Sequence, residues 1–451
     1  KRIKGECDEG ILLLLFFNIS VKERGTKCPF VRLLDMKKKE RMKIYTLLLG
    51  ALFVSPTQAQ TMHDWENHHV LQINREPARA AFTPFSVQKG DGSISLDGTW
   101  KFRWTPVPNE RVMNFYQTNF NDKDWTDFPV PANWEVNGYG TPIYVSAGYP
   151  FKIDPPRVMG EPKTDYTTYK ERNPVGQYRR TFVLPAGWEA NGQTFLRFEG
   201  VMSAFYVWIN GERVGYSQGS MEPSEFNVTK YLKSGENQIS LEVYRYSDGS
   251  YLEDQDFWRF GGIHRSIHLI HTPDIHVRDY AVRTLPASAG DYEDFILQID
   301  PQFSVYRGMT GKGYVLQGVL KDASGKEVAT LKGDVEDMLD LEHKASRMNE
   351  WYPQRGPRKM GRLSAIIKSP ERWTAETPYL YKLHLTLQNG EGKVVEQIEQ
   401  AVGFRSVEIK KGQLLVNGNP VRFRGVNRHE HDPRTARVMS EERMLQDILL
   451  M

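Results

Sequence analysis

The sequence has almost no cysteine, and the little it has lies at one end. Of the 451 residues only Cys7 and Cys28 are cysteine. From residue 60 onward the chain therefore has no disulfide framework, no thiolate nucleophile and no cysteine-ligated zinc site. The stability and chemistry of the folded part must come from other side chains.

Two further absences limit what the chain can bind. No apolar run reaches the roughly 18 residues that a membrane-spanning helix needs. The formal net charge is +3, but residues 1–60 hold twelve Lys and Arg against six Asp and Glu. The remainder is slightly acidic, so the sequence predicts neither a membrane span nor a nucleic-acid-binding face.

The first 59 residues are interpreted as a leader rather than as part of the fold. Positive charge over Lys37–Lys43 precedes the apolar run Leu47–Val54, and Thr57–Ala59 offers a small-residue cleavage site. This order predicts a secretory signal peptide over about residues 42–59, and hence a secreted or periplasmic protein. The alternative is a buried N-terminal helix, but the apolar run is short and flanked as signal peptides are.

Residues 60–274 are dense in signals of β-structure. Ala204–Ile209 is apolar and meets Asn210-Gly211, a dipeptide that favours a type I′ hairpin because both turn positions need positive φ. Ile239–Val243 alternates apolar and polar residues, which predicts a strand with one buried face. Further strand candidates are Gln177–Leu184 and Ile263–Ile270. Many short strands without a helical period between them predict a β-sandwich or a jelly roll.

Residues 275–406 repeat short alternating apolar runs between turn signals. Ser324-Gly325 and Asn389-Gly390 are two of these turns. The spacing is typical of an immunoglobulin-like β-sandwich, here without a cysteine pair. No catalytic constellation occurs in this region, and residues 341–362 are predicted to form a long charged loop.

Residues 407–451 change character from strands to a strand pair followed by a helix. Leu414–Val416 and Val421–Arg424 flank a turn at Asn417-Gly418, which predicts a hairpin. Ser440–Met451 is predicted to be a helix with Ser440 as its N-cap. Acidic residues follow in the first turn, where they favour the helix dipole.

The candidate binding chemistry is concentrated in Asp248–Arg265, DGSYLEDQDFWRFGGIHR, here called the acidic turn. Carboxylates accept hydrogen bonds from hydroxyl groups, and flat rings cover the apolar face of a pyranose. The residues by themselves fit a sugar site, and they also fit a polar loop that ends in a glycine turn. Glu253 and Asp254 are expected to be solvated or to pair with Arg259 or Arg265.

The acidic turn resembles the sugar-binding loop of glycoside hydrolase family 2 β-galactosidases. WTAETPYLY at Trp373–Tyr381 and RGVNRHEH at Arg424–His431 resemble two later motifs of the same family, in the same order. The resemblance implies a mainly β protein with three parts. These are a jelly-roll, galactose-binding-like domain (60–274), an immunoglobulin-like β-sandwich (275–406), and the first strand and helix of an incomplete TIM (β/α)₈ barrel (407–451).

The resemblance also implies an activity and three binding residues. The activity is retaining hydrolysis of terminal non-reducing β-D-galactose residues in β-galactosides. Asp256, the second aspartate of DQD, matches a position that binds both sodium and the sugar, as a carboxylate can. His429 matches a histidine that contacts galactose. Ser146 stands where the family has an asparagine, so the corresponding contact would come from a shorter side chain.

Catalytic glutamates and magnesium ligands of the family find no match in this chain. About 45 residues of the barrel are present, whereas a (β/α)₈ barrel needs about 250. The resemblance therefore implies sodium and magnesium as cofactors, with the magnesium ligands and both glutamates lying beyond Met451. It predicts that these 451 residues alone do not hydrolyse a β-galactoside, and it leaves homo-oligomer formation open.

Several alternatives remain at this point. A sister enzyme of the family, β-glucuronidase or β-mannosidase, fits the departure at Ser146. A non-catalytic carbohydrate-binding protein would use the jelly roll alone. His429 and His431 lie two apart and would share a face of an extended strand, so they fit an incomplete metal site as well as core or loop positions.

Overall fold

The computed structural model describes residues 62–80, 92–188, 190–253, 256–340 and 362–451. The predicted leader and signal peptide (1–59), and nearly all of the predicted loop 341–362, lie outside the described residues. The described chain is mainly β, as predicted. None of its helices is both long and apolar enough to cross a membrane.

The first domain is a sandwich of antiparallel sheets. Its strands are β1 (Gln72–Ile73), β2 (Ser93–Ser95), β3 (Gly98–Thr105), β4 (Thr126–Val130), β5 (Ala132–Asn133), β6 (Ile143–Val145), β7 (Val175–Val183), β8 (Gln193–Phe198), β9 (Val201–Met202), β10 (Ala204–Ile209), β11 (Glu212–Gln218), β12 (Ser224–Asn227), β13 (Glu236–Tyr244), β14 (Phe257–Arg259), β15 (Gly262–Ile263) and β16 (Ile267–Thr272). The larger sheet has the order β1-β11-β10-β13-β7-β3-β4, and the smaller one β12-β8-β16-β2. Two minor sheets are β5-β15-β9 and β14-β6.

Both faces of the seven-stranded sheet are covered, which explains the unbroken apolar run of β10. Successive side chains of a strand point to opposite faces. Phe205 and Val207 enter a core that also contains side chains of the four-stranded sheet. Tyr206 and Trp208 enter an aromatic cluster on the opposite face. The jelly-roll prediction is confirmed, with hydrophobic layers on both sides of the larger sheet.

The predicted turns and strands of this domain are largely found. Asn210 and Gly211 both have positive φ, 51° and 86°, at the β10–β11 hairpin. The predicted strand Ile263–Ile270 is instead divided, because β15 pairs with β5 and β9 whereas β16 pairs with β2 and β8. Short 3₁₀ helices in the described residues are Asp64–Glu66, Pro108–Glu110, Glu135–Asn137, Thr167–Tyr169, Thr229–Tyr231 and Asp248–Tyr251.

The second domain is the predicted immunoglobulin-like sandwich. Its strands are β17 (Ile275–Pro286), β18 (Phe295–Val305), β19 (Val315–Lys321), β20 (Glu327–Asp334), β21 (Leu363–Ile367), β22 (Tyr381–Gln388) and β23 (Val394–Val402). They form the sheets β17-β18-β21 and β20-β19-β22-β23 around one hydrophobic core. Residues 335–340 are helical.

The last segment contains a small sheet and a helix. The sheet consists of β24 (Val407–Lys410), β25 (Gln413–Val416) and β26 (Asn419–Pro420), so β26 takes the place of the predicted strand Val421–Arg424. The helix α1 runs over Glu441–Leu450, and the Ser440 hydroxyl accepts the Arg443 N–H at 3.2 Å, which confirms the predicted N-cap.

The stretch expected to be the first barrel strand has no strand hydrogen bonding in this structure. Residues 421–431 contain no strand residue. A parallel barrel strand takes its hydrogen-bond partners from strands that follow a crossover of a dozen or more residues. The described residues supply no such neighbouring strand, so the ladder cannot form.

Buried ion pairs join the first two domains. Glu225 on β12 pairs with Arg79 at 2.6 Å, with Arg278 on β17 at 3.3 Å and with Arg197 at 3.5 Å. Burial alone would raise the pKa of Glu225, but the guanidinium groups of Arg79, Arg197 and Arg278 lower it. The charged carboxylate thereby links the chain at residue 79, the jelly roll and the immunoglobulin-like domain.

A second buried carboxyl group lies inside the immunoglobulin-like domain. Glu396 on β23 accepts the Val277 N–H of β17 at 2.7 Å. Its other oxygen has no hydrogen-bond partner among the described residues. Burial raises the pKa of Glu396 to about 8, so the group is neutral at pH 7.

Substitution of this carboxyl group tests its protonation state. A folded-state pKa above the unfolded value of about 4.3 gives stability that is present at low pH and lost as pH rises towards 8. Glu396→Gln removes this loss. We expect the variant to gain about 2 kcal/mol relative to the unsubstituted protein between pH 6 and pH 8, measured by urea unfolding. The exposed Glu391→Gln is the control and should gain nothing; a pH-independent difference for Glu396→Gln would contradict the assignment.

Candidate functional site

The acidic turn folds as a capped 3₁₀ turn followed by a short strand. Ser247 and Ser250 cap Asp248–Tyr251 reciprocally, each side chain bonding the other residue's backbone. Residues 254 and 255 lie outside the described residues, and the chain then enters β14. Asp248 is buried rather than presented to solvent, and burial raises the pKa of its carboxyl group.

Strand β14 pairs with β6 and forms a two-stranded ribbon. Phe257 lies opposite Val145 and Trp258 opposite Tyr144. Continuation of this antiparallel register sets Asp256 opposite Ser146, although 110 positions separate them in the sequence. The ribbon thus brings two of the three predicted sugar-binding residues together.

One face of the ribbon is polar and aromatic. Asp256 is exposed and accepts a hydrogen bond from the Tyr144 hydroxyl. Trp258 is 37% exposed and meets the Tyr144 ring edge-on, with ring centroids 5.7 Å apart. A carboxylate beside two accessible rings can bind the hydroxyls and the apolar face of a sugar at once.

A buried ion pair holds the base of the ribbon. The Arg245 guanidinium donates from Nη2 to the carbonyls of Thr141, just before β6, and Arg259, in β14, at 2.8 Å each. Its Nε lies 3.1 Å from Glu135 Oε1, and both side chains are 1% exposed. Burial raises the pKa of Glu135 to about 7, while Arg245 and the Gly261 N–H oppose the rise. Arg245 therefore connects both strands of the ribbon to the jelly-roll core.

The Gly-Gly pair closes the turn for a steric reason. Trp134 is fully buried, and its indole lies where a Cβ on Gly261 would be. Gly262 has φ +112°, a conformation that favours glycine. The Glu135 carboxylate accepts the Gly261 N–H at 3.1 Å, so the same ion pair also fixes the end of the acidic turn.

The opposite face of the ribbon borders a cavity of about 510 Å³. Phe257 and Arg259 line it, whereas Asp256 and Trp258 do not, as the alternation along a strand requires. His429 and Arg437 line the same cavity from the last segment of the chain. We call it the Phe257 cavity.

The last segment is attached to the jelly roll beside this cavity. The backbone N–H of Arg437 donates a hydrogen bond to Asn133 Oδ1 at 2.9 Å. His431 stacks on Phe260 with ring centroids 5.9 Å apart, and burial lowers the pKa of its imidazole. His431, to which the sequence assigned no role, thus packs against the acidic turn.

Glu253 has a partner that the sequence did not suggest. Its carboxylate accepts the Ser220 N–H at 2.6 Å and the Ser220 hydroxyl at 2.7 Å. Burial raises the pKa of Glu253, although these bonds oppose the rise. Arg265, expected as an alternative partner, instead lies 3.9 Å from Glu430. Asp254 lies outside the described residues.

The predicted site residues therefore lie on opposite sides of the ribbon. Asp256 and Ser146 lie at one end of the ribbon, and His429 lies on the Phe257 cavity. Their roles in sugar binding stay predictions. Sequence reasoning missed Tyr144, although it lies two positions before Ser146, and it missed Arg245 and Arg437, for which the sequence holds no local signal.

The described residues offer a metal ion few ligands. Sodium takes oxygen ligands, and the exposed Asp256 carboxylate can supply one. Within the described residues no group of three or more His, Cys, Asp or Glu side chains could hold a metal ion. Asp256 can supply one oxygen ligand to a sodium ion. A single carboxylate does not by itself form a metal-binding site.

Comparison with known proteins gives one consistent family. Residues 94–273 match the sugar binding domain of glycosyl hydrolases family 2, residues 275–405 match the family domain that follows it, and residues 407–451 match the family's TIM barrel domain.

Curated relatives agree with these matches. The chain is 38% identical over 420 residues to a beta-galactosidase of Priestia megaterium, which covers 90% of this chain and 38% of that protein. It is 37% identical over 404 residues to a beta-galactosidase of Pectobacterium atrosepticum, covering 86% and 35%. The chain thus spans little more than a third of the length of these relatives.

Solved structures give the same fold. A Bacteroides uniformis beta-glucuronidase superposes with a TM-score of 0.60 at 23% identity, covering 80% of this chain and 38% of that one. A Bifidobacterium dentium beta-glucuronidase complexed with coumarin-3-O-glucuronide gives 0.59 at 20% identity, covering 83% and 57%. At these identities the likeness shows the fold alone.

The ribbon anchor can be tested by a charge-conserving change. Arg245→Lys keeps the charge, but an ammonium group cannot reach Thr141, Arg259 and Glu135 together. Breaking a buried pair costs about 3–5 kcal/mol, so we expect a loss of that order in urea unfolding. Arg283→Lys, at a half-exposed pair with Asp300, should cost less than about 1 kcal/mol. Equal losses for the two variants would contradict the anchoring role.

Proposed function

Because the chain belongs to glycoside hydrolase family 2, we propose that the whole protein is a retaining β-galactosidase. It removes terminal non-reducing β-D-galactose residues from β-galactosides. The observation that carries the proposal is the 38% identity over 420 residues to a protein named beta-galactosidase. The three family domains, matched in order along the chain, support it.

In this proposal the described residues bind and orient the sugar. The Asp256 carboxylate accepts hydrogen bonds from galactose hydroxyls, and Trp258 and Tyr144 cover the apolar face of the ring. Ser146 adds a hydroxyl group at the same end of the ribbon. In the same proposal His429, which lines the Phe257 cavity, contacts the sugar and stabilises the positive charge that develops on it.

The bond-breaking groups of the proposal lie outside these residues. Retaining hydrolysis uses two carboxyl groups about 5–5.5 Å apart, one as nucleophile and one as acid and then base. No carboxylate of this chain is proposed for either role. We also propose sodium with Asp256 as one ligand, magnesium bound by residues outside this chain, and export directed by residues 42–59.

A substrate panel tests the activity. The protein with its complete barrel should hydrolyse nitrophenyl β-galactoside with retention, and at a higher kcat/KM than nitrophenyl β-glucuronide or β-mannoside. A preference for either of the latter would favour the sister enzymes. Absence of all three activities, with galactose binding retained, would favour a carbohydrate-binding protein. The 451 residues alone should show no turnover.

The role of Asp256 is testable in the same protein. Asp256→Ala removes hydrogen bonds to a charged group, each worth about 1.5–3 kcal/mol, so kcat/KM for nitrophenyl β-galactoside should fall by roughly tenfold to a hundredfold. The response of the rate to added sodium should fall with it. Asp127→Ala on β4, at an exposed pair with Lys101 on β3, is the control. Unchanged cleavage and unchanged sodium response in Asp256→Ala would refute the assignment.

A further inference from the structure

The open end of the ribbon, where Ser146 and Asp256 lie, continues on both strands into a second set of contacts. Strand β6 leads through Ser146 into residues 149–159, here called the clamp loop. Strand β14 follows the acidic turn, in which Tyr251 lies five positions before Asp256. Since the buried ion pair described above lies at the base of the ribbon, the open end needs contacts of its own to be held in place.

Tyr251 joins these two parts of the chain through its hydroxyl group. The hydroxyl donates to the Arg157 carbonyl at 2.6 Å and accepts the Asp154 N–H at 3.0 Å. Asp154 and Arg157 form a tight turn, in which the Arg157 N–H donates to the Asp154 carbonyl at 2.8 Å. One side chain of the acidic turn therefore binds both sides of a single turn of the clamp loop.

A reciprocal hydrogen bond and ring packing complete this junction. The Tyr149 hydroxyl donates to the Tyr251 carbonyl at 2.9 Å. The centroid of the Tyr251 ring lies 4.8 Å from that of Tyr149 and 5.4 Å from that of Phe151. Phe151 belongs to the buried aromatic cluster that also contains Trp208 of β10. The junction is thus connected to the core of the jelly roll.

Glu66, from the chain before β1, holds the far end of the clamp loop. Its Oε1 accepts the N–H groups of Val158 and Met159 at 2.8 Å and 2.9 Å. Val158 and Trp65, the residue before Glu66, are both buried in the same aromatic cluster. Because the clamp loop is held near both of its ends, it gives Tyr251 a fixed partner.

We propose that Tyr251 is a positioning residue for the sugar site. By binding the clamp loop it holds the open end of the ribbon, and with it Asp256 and Ser146, in the geometry that binds the saccharide. It acts through these residues and does not contact the sugar. The proposal rests on the proposed function in taking Asp256 and Ser146 as sugar ligands and Asp256 as a sodium ligand. Loss of the clamp should therefore weaken the binding of substrate and sodium more than it slows bond breaking.

Tyr251→Phe, in the protein with its complete barrel, removes the hydroxyl group and keeps the ring. A lost hydrogen bond changes an equilibrium by about threefold to tenfold. We expect the KM for nitrophenyl β-galactoside, and the sodium concentration that gives half the maximal rate, to rise by about that factor, with kcat changed less than about twofold. Unchanged KM and sodium response would overturn the proposal, and so would a fall in kcat alone.

Tyr381→Phe is the matched control. The Tyr381 hydroxyl, in the second domain, accepts the Glu371 N–H at 2.9 Å. This variant therefore also loses a hydrogen bond between a tyrosine hydroxyl and the backbone. Its KM and sodium response should equal those of the unsubstituted protein. An equal rise in both tyrosine variants would indicate a general loss of stability and would contradict the positioning role.

Glu66 offers a second test that does not alter Tyr251. Glu66→Ala removes the acceptor of two backbone N–H groups, whereas Glu66→Gln keeps an oxygen that can accept them. We expect Glu66→Ala to raise KM as Tyr251→Phe does, and Glu66→Gln to keep KM within about twofold of the unsubstituted value. No rise in KM for Glu66→Ala, or the same rise in both Glu66 variants, would refute the support of the clamp loop by this residue.

Hydrogen exchange tests the clamp without any substrate. In Tyr251→Phe and Glu66→Ala, the amides of β6 and β14 should exchange at least about threefold faster than in the unsubstituted protein and in Tyr381→Phe. Unchanged exchange would overturn the proposal whether or not the protein hydrolyses a galactoside. Faster exchange in a protein that has no galactosidase activity would refute the proposed function and still support the clamp, so the two failures are separate results.

Discussion

The candidate site depends on one buried interaction, the pair between Glu135 and Arg245. The Arg245 guanidinium donates hydrogen bonds to the carbonyls of Thr141 and Arg259, at the base of β6 and β14. The Glu135 carboxylate accepts the Gly261 N–H where the acidic turn closes. Two strands that are distant in sequence thereby share one rigid base. A buried charge pair is costly unless hydrogen bonds satisfy it; here the Arg245 Nη2 bonds position the ribbon, while its Nε and Nη1 have no hydrogen-bond partner among the described residues. The exposed end of that ribbon carries Asp256.

The ribbon separates two kinds of chemistry because side chains of a strand alternate between faces. Asp256 and Trp258 lie on the face with Tyr144, which suits a neutral hexose. Phe257 and Arg259 lie on the face of the cavity, which His429 also lines.

Much of the fold followed from the sequence, as did part of the site. The Asn210-Gly211 hairpin, the alternating strand Ile239–Val243 and the N-cap Ser440 were predictable, because turn chemistry, alternation and capping are local effects. The division of Ile263–Ile270 was not predictable, since only pairing with different sheets separates β15 from β16. Residues 421–431 have no strand hydrogen bonding for a related reason, because strand partners are not local.

By itself, the sequence determined the mainly β architecture, the order of the domains, and the concentration of carboxylates and rings in the acidic turn. Only the tertiary structure decided which of these residues meet. It brought Ser146 and Asp256 to the same end of one ribbon, placed Arg245 at the base of both strands, and brought Arg437 to the same ring as Arg259. These contacts join residues far apart in the chain, and they arise from β-sheet register and from burial, neither of which a local pattern of residues specifies.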